Sequence, residues 1–115
     1  MLTTMFKSKL HRVTVTDANL YYEGSITIDE ELLKLANILP GEKVQVVNVN
    51  NGSRLETYTI PGEWGGRIIC LNGPAARLNA PTDEIIVIAY TLMTPEEAYL
   101  YRPNVIQVDK HNNPL

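Results

Sequence analysis

The chain has 115 residues, a formal net charge of −3, 44% hydrophobic and 20% charged residues. That length fits one globular domain, which buries about 60–70% of its unfolded surface and so builds a core without staples. The acidic balance lacks the basic footprint of a nucleic-acid binder. The longest apolar run, Ile85 to Tyr90, falls far short of the ~20 residues that span a bilayer. One cysteine, Cys70, allows no internal disulfide and suits a reducing compartment, and two histidines leave no ordinary zinc set. The residues after Met1 carry no apolar stretch of signal-peptide length. The expectation is a cytoplasmic domain with no metal, no nucleic acid and no membrane partner.

In chain order, Leu10–Thr16 reads as the first strand, with Leu10, Arg12, Thr14 and Thr16 on one face and His11, Val13 and Val15 on the other. Ser25–Ile28 is a short second strand after the turn-like Tyr21-Tyr22-Glu23-Gly24. Asp29 is a helix N-cap, Glu30 and Glu31 suit the helix dipole, and Pro40-Gly41 ends that unit. Residues 43–50 and 54–60 form a hairpin about Asn51-Gly52, a pair that tolerates positive φ. Arg67–Leu71 is a short buried strand, broken by Asn72-Gly73-Pro74, with a helical turn over 75–78. Glu84–Leu92 is the most apolar strand. Thr94-Pro95-Glu96-Glu97 opens a second helix, which Arg102-Pro103 stops. Val105–Val108 is a last strand, and Lys110–Leu115 reads as a loose tail. Val, Ile and Thr make up 29 of the 115 residues. This predicts a mainly β fold, a closed barrel of six or seven short strands with two small helices.

No nucleophile elbow, P-loop or dinucleotide fingerprint is present. His111 lies in the polar tail. Cys70, within Ile-Ile-Cys-Leu, reads as a small buried hydrophobe. Taken singly, the remaining polar residues have plain structural readings. Ser25 starts a strand, Arg54 and Lys9 are solvated strand charges, Thr57 serves strand propensity, and Tyr58 faces the core or an interface. His11 sits in the core or an interface, and Asn72-Gly73 is a turn pair.

Their joint order says more. Lys9-Leu10-His11-Arg12, Tyr22-Glu23-Gly24-Ser25, Asn51-Gly52 followed by Arg54, Thr57-Tyr58, Arg67-Ile68-Ile69, Asn72-Gly73 with Ala75-Ala76, and Arg102-Pro103-Asn104 occur in sequence. This pattern, from about Met1 to Asn104, resembles the bacterial aspartate 1-decarboxylase family. The resemblance implies a double-psi β-barrel with short helices, a homotetramer, and conversion of L-aspartate to β-alanine and CO2 for pantothenate and coenzyme A synthesis. It implies a covalent pyruvoyl group made from Ser25 by self-cleavage between Gly24 and Ser25, with no metal. Such a bound ketone, like pyridoxal phosphate in other enzymes, condenses with the substrate amine and accepts the electrons that decarboxylation leaves behind.

The resemblance also implies roles. Thr57 would supply the hydroxyl for the oxyanion of self-processing. Arg54 and Lys9 would hold the substrate carboxylates, arginine as a planar fork. Tyr58, protonated at neutral pH, would return the proton. Asn72, with the backbone of Gly73, Pro74 and Ala75, would orient the substrate, and Tyr22 and His11 would support the site. The sequence departs from the family pattern at Val47, where some members carry a large aromatic, and at Thr82 in place of glycine. It also departs at Pro74, which lacks the N–H of the common alanine. These leave the reaction class intact and the finer substrate geometry open. Members differ in whether a helper protein is needed, so a maturation factor stays open as a partner. The rival expectation is a non-catalytic double-psi barrel used for binding or assembly, and glutamate is the alternative substrate.

Overall fold

The computed structural model describes residues 1–115. It contains β1 (Thr3–Thr14), β2 (Asp17–Asn19), β3 (Ser25–Asp29), α1 (Glu30–Leu35), β4 (Lys43–Asn48), β5 (Arg54–Gly62), β6 (Ile69–Asn72), a 3-10 turn (Gly73–Arg77), β7 (Glu84–Met93), α2 (Pro95–Leu100) and β8 (Asn104–Gln107). The eight strands form one sheet in the order β2-β6-β3-β5-β4-β7-β1-β8. Its pairings are mixed: β3 runs parallel to β5 and antiparallel to β6, and β1 runs antiparallel to β7 and parallel to β8. The sheet curls shut where the Thr16 amide donates to the Ile69 carbonyl at 2.8 Å and the Ile69 amide donates to Thr16 Oγ1 at 2.9 Å. The curled sheet leaves β2 and β8 as its short terminal strands, each paired on one side only. The mainly β barrel with two short helices is thus the fold of the chain.

The core is one cluster of 17 buried apolar residues, among them Leu10, Val13, Ile26, Ile28, Leu32, Ile69, Leu71, Ile85 and Val87. They alternate along their strands, as a sheet with one buried face requires. β1 corrects the expected faces. Leu10, Val13 and Val15 are all buried, although strict alternation separates Leu10 from the other two. The register against β7 slips between Leu10 and Val13, and Arg12 sits at φ 61°. This bulge inserts one residue and returns Val13 to the core side. His11 is thereby taken off the Val13 face; its Nδ1 is buried without a hydrogen-bond partner.

The C-terminal residues are also not loose. Asn112 is buried at φ 64°. Its side chain accepts from the Thr14 amide at 2.7 Å and donates to the carbonyls of Thr14 and Arg67 at 2.9 and 3.2 Å. It fastens the tail across the end of β1.

Asp29 performs two tasks at the junction of β3 and α1. As the N-cap of α1 it accepts from the Glu31 amide at 2.9 Å. It also accepts from the amides of Gly65 and Arg67 and from the Arg67 guanidinium, at 2.7–2.9 Å. Arg67 donates as well to Glu31 at 2.8 Å. The strand that begins at Ser25 is therefore pinned at its far end by four hydrogen bonds to one buried carboxylate.

Candidate active site

Ser25 is the first residue of β3 and is fully buried. It lies directly opposite Asn72 on β6, and β3 runs beside β5 with Ile26 level with Thr59. Extending that parallel register by one and two residues brings Ser25 level with Tyr58 and Gly24 level with Thr57. The Ser25 hydroxyl donates to the Glu23 carbonyl at 2.8 Å and accepts from Asn72 Nδ2 at 3.0 Å. Asn72, also buried, donates to Thr27 Oγ1 at 3.0 Å, and its Oδ1 accepts from the Cys70 thiol at 3.3 Å.

The backbone around Gly24 is crowded in a particular way. Gly73 adopts φ +66°, the region that favours glycine. A Cβ placed there would lie 2.9 Å from both Cα and N of Gly24 and from the Tyr22 carbonyl oxygen. Only glycine lets the turn after β6 lie against the peptide that precedes Ser25. Pro74 closes the other side, its Cδ 3.6 Å from where a Gly24 Cβ would sit. Beside this contact opens a pocket of about 430 Å3 lined by Gly24, Leu55, Glu56, Thr57, Tyr58, Pro74, Ala75 and Leu78. Gly24, Ser25, Thr57, Tyr58, Asn72, Gly73, Pro74 and Ala75 therefore gather around one peptide bond.

The cationic candidates stand elsewhere. Lys9 pairs with Ile88, Ile88 with Gln45, and Gln45 with Glu56, so one row of outward side chains runs across β1, β7, β4 and β5. Three strand spacings of about 4.8 Å separate Lys9 from β5, and its ammonium lies over the Phe6 ring. Arg54 is exposed on β5 and donates to Gln45 Oε1 at 3.2 Å, which the Tyr90 hydroxyl also meets at 2.9 Å. Tyr58 shares the outward face with Arg54 yet also lines the Gly24 pocket. Tyr22 is half exposed in the turn before Gly24. His11 lies on β1, away from Ser25; burial first, then the charges of Lys9 and Arg12, push its pKa down, so it is neutral at pH 7.

Three contributors escaped the sequence reading. Thr27 and Cys70 both touch Asn72, and Gln45 joins Arg54 to Tyr90. Thr27 carried a signal, since it sits two residues from Ser25 and shares its face of β3; Cys70 and Gln45 carried none. No cluster of three or more His, Cys, Asp or Glu side chains that could hold a metal ion occurs, and no helix is long and apolar enough to cross a membrane.

The sequence profile of the aspartate decarboxylase family matches residues 1–115. The chain belongs to the aspartate decarboxylase family. It is 69% identical over 110 residues to the aspartate 1-decarboxylase of Salinibacter ruber, covering 96% of this chain and 75% of that protein. It is 65% identical over 115 residues to that of Desulfitobacterium hafniense, covering 100% and 91%. It is 56% identical over 115 residues to that of Porphyromonas gingivalis, covering 100% and 98%. The gathering of residues about Gly24 and Ser25 is thus set in a chain similar to aspartate decarboxylases from end to end.

Proposed function

We propose that the protein is a self-processing, pyruvoyl-dependent decarboxylase that converts L-aspartate to β-alanine and CO2, supplying β-alanine for pantothenate and coenzyme A synthesis in the cytoplasm. One observation carries the reading. The Ser25 hydroxyl is buried beside a Gly24 peptide that has no side chain to cover it, with Asn72 donating to the hydroxyl oxygen. A non-catalytic barrel has no use for a cramped glycine pair around a buried serine, and the relatives are decarboxylases.

The residues fit the making of a pyruvoyl group. Ser25 Oγ attacks the Gly24 carbonyl carbon, the peptide C–N bond breaks as the hydroxyl proton passes to the Ser25 nitrogen, and the amide becomes an ester. The lack of a Gly24 side chain keeps the approach open. Asn72 steadies the growing charge on Ser25 Oγ, and Thr57, on the pocket wall, serves the oxyanion on Gly24. Removal of the α-proton of residue 25 breaks the ester C–O bond and frees the Gly24 carboxylate. One water then replaces the nitrogen, which leaves as ammonia. The pieces are residues 1–24 and 25–115 of a single barrel domain.

The pyruvoyl group supplies an electrophilic ketone that accepts the electron pair of the breaking carbon–carbon bond. The chain's own residues do the rest. Arg54 and Lys9 hold carboxylates, and Asn72, Gly73 and Ala75 orient the bound amino acid. Pro74 shapes the wall without donating an N–H, and Tyr58 delivers a proton from its hydroxyl to the α-carbon. Tyr22 borders the site within its own chain, and His11, on β1 beside Lys9, reaches it from a neighbouring subunit. Because Lys9 and Arg54 line an outer wall of the barrel, the working site is completed between subunits of a homotetramer. Maturation proceeds with or without a helper protein.

The test is denaturing mass spectrometry after warm incubation, joined to an assay of β-alanine formed from aspartate. The expected result is two chains split between Gly24 and Ser25, with a single intact chain and no activity for Ser25→Ala. A wild-type chain that stays whole, alone and with cell extract, overturns the reading.

A further inference from the structure

Asn72 is the one side chain that donates to the Ser25 hydroxyl, and an amide can face either way. Its present orientation points Nδ2 at both Ser25 Oγ and Thr27 Oγ1, and Oδ1 at Cys70. In the reversed orientation Oδ1 would face the two hydroxyls. Ser25 would then turn its proton from the Glu23 carbonyl to Asn72, and no donor would reach its oxygen as negative charge grows there. Something must select the first arrangement. The two hydroxyls can each accept or donate and so favour neither.

Cys70 breaks the tie. It is paired across β6 with Thr27 and Asp17, is buried at 7% exposure, and holds its sulfur 3.3 Å from Asn72 Oδ1. A thiol is weak both as donor and as acceptor, and in this contact it is the S–H that donates, to the amide oxygen. We propose that Cys70 is a positioning residue for self-processing: its S–H fixes the Asn72 amide with Nδ2 toward Ser25 Oγ, so that this chain's rate of cleavage depends on a proton donor at position 70. Burial first, and then the charge of Asp17, raise the pKa of the thiol, which therefore keeps its proton through the neutral range. The inference rests on the self-processing reading above.

The test compares cleavage rates of the full-length wild type with Cys70→Ser, Cys70→Val and Cys70→Ala. Each is purified cold and warmed, and the split at residue 24 is followed by mass spectrometry beside a thermal melt of the intact precursor. Serine keeps a donor, valine keeps the bulk without one, and alanine stands in if valine does not fold. The expected result is a serine variant within about twofold of wild type and donor-free variants slowed by about tenfold or more, with all precursors folded. A cleaving wild type with donor-free variants equally fast overturns the role of Cys70 alone, and so does a serine variant as slow as valine. A wild type that never cleaves overturns the self-processing reading and this inference with it.

Discussion

Residue 73 shows how one backbone angle can carry a site. A side chain at Gly73 is penalised twice, by φ +66° and by 2.9 Å approaches to Gly24 and to the Tyr22 carbonyl. The backbone strain alone is worth about 1–3 kcal/mol, and relieving the clash must shift the peptide that precedes Ser25. Gly73→Ala is expected to lower stability by at least that amount and to slow chain cleavage far more than the stability loss explains, read by chemical denaturation beside mass spectrometry. At Gly52, by contrast, nothing lies within 4 Å of an added Cβ. Gly52→Ala meets only the φ penalty and leaves cleavage unchanged. The pair separates a glycine required by a turn from one required by its neighbour.

Among the elements, the β3–α1 junction is the most exposed to pH. Asp29 is fully buried. Burial alone would raise its pKa, but the amides of Arg67, Gly65 and Glu31 and the Arg67 side chain outweigh burial and hold it below the usual carboxylate value. A carboxylate depressed on folding stabilises the fold above its unfolded pKa, near 4, and loses that contribution as pH falls through the folded value. Asp29→Asn is expected to lower stability by about 3 kcal/mol at pH 7, with a shallower fall between pH 5 and 2 than wild type, measured by denaturant midpoints across pH. The Asp29 cap was legible in the sequence because capping is local, as were the Thr94 capping box and the Asn51-Gly52 hairpin. The bulge at His11-Arg12 was not legible, since a register slip is decided by the partner strand β7. The short strand β2 and the Asn112 clamp were hidden for the same reason: both are made by contacts with β6 and β1 from distant parts of the chain. The residues around Ser25 were legible as a pattern; that Cys70 and Thr27 meet Asn72 follows only from the pairing of β3 with β6.

At the scale of the whole molecule, Lys9 and Arg54 lie on an outer wall while Ser25 lies beneath the pocket at Gly24. If neighbouring barrels complete each other's sites, Ser25→Ala and Lys9→Gln chains, the first inactive and the second nearly so at low aspartate, regain activity there when unfolded together and reassembled. Lys9→Gln is expected to cleave normally and to raise KM for aspartate at least tenfold, because the proposed contact of Lys9 is with substrate and not with the processing peptide. A mixed assembly as inactive as its parents would place both residues in one subunit's site. The position of β1 has a consequence of another kind. It is held on both sides, by β7 and β8, and carries core residues Leu10 and Val13. In the proposed cut form, split after residue 24, this inner strand belongs to a separate peptide that is trapped by the other. Unfolding the mature protein then releases two molecules rather than one. Its melting point should rise more steeply with protein concentration than that of the uncut precursor, because each barrel must then reassemble from two molecules rather than one.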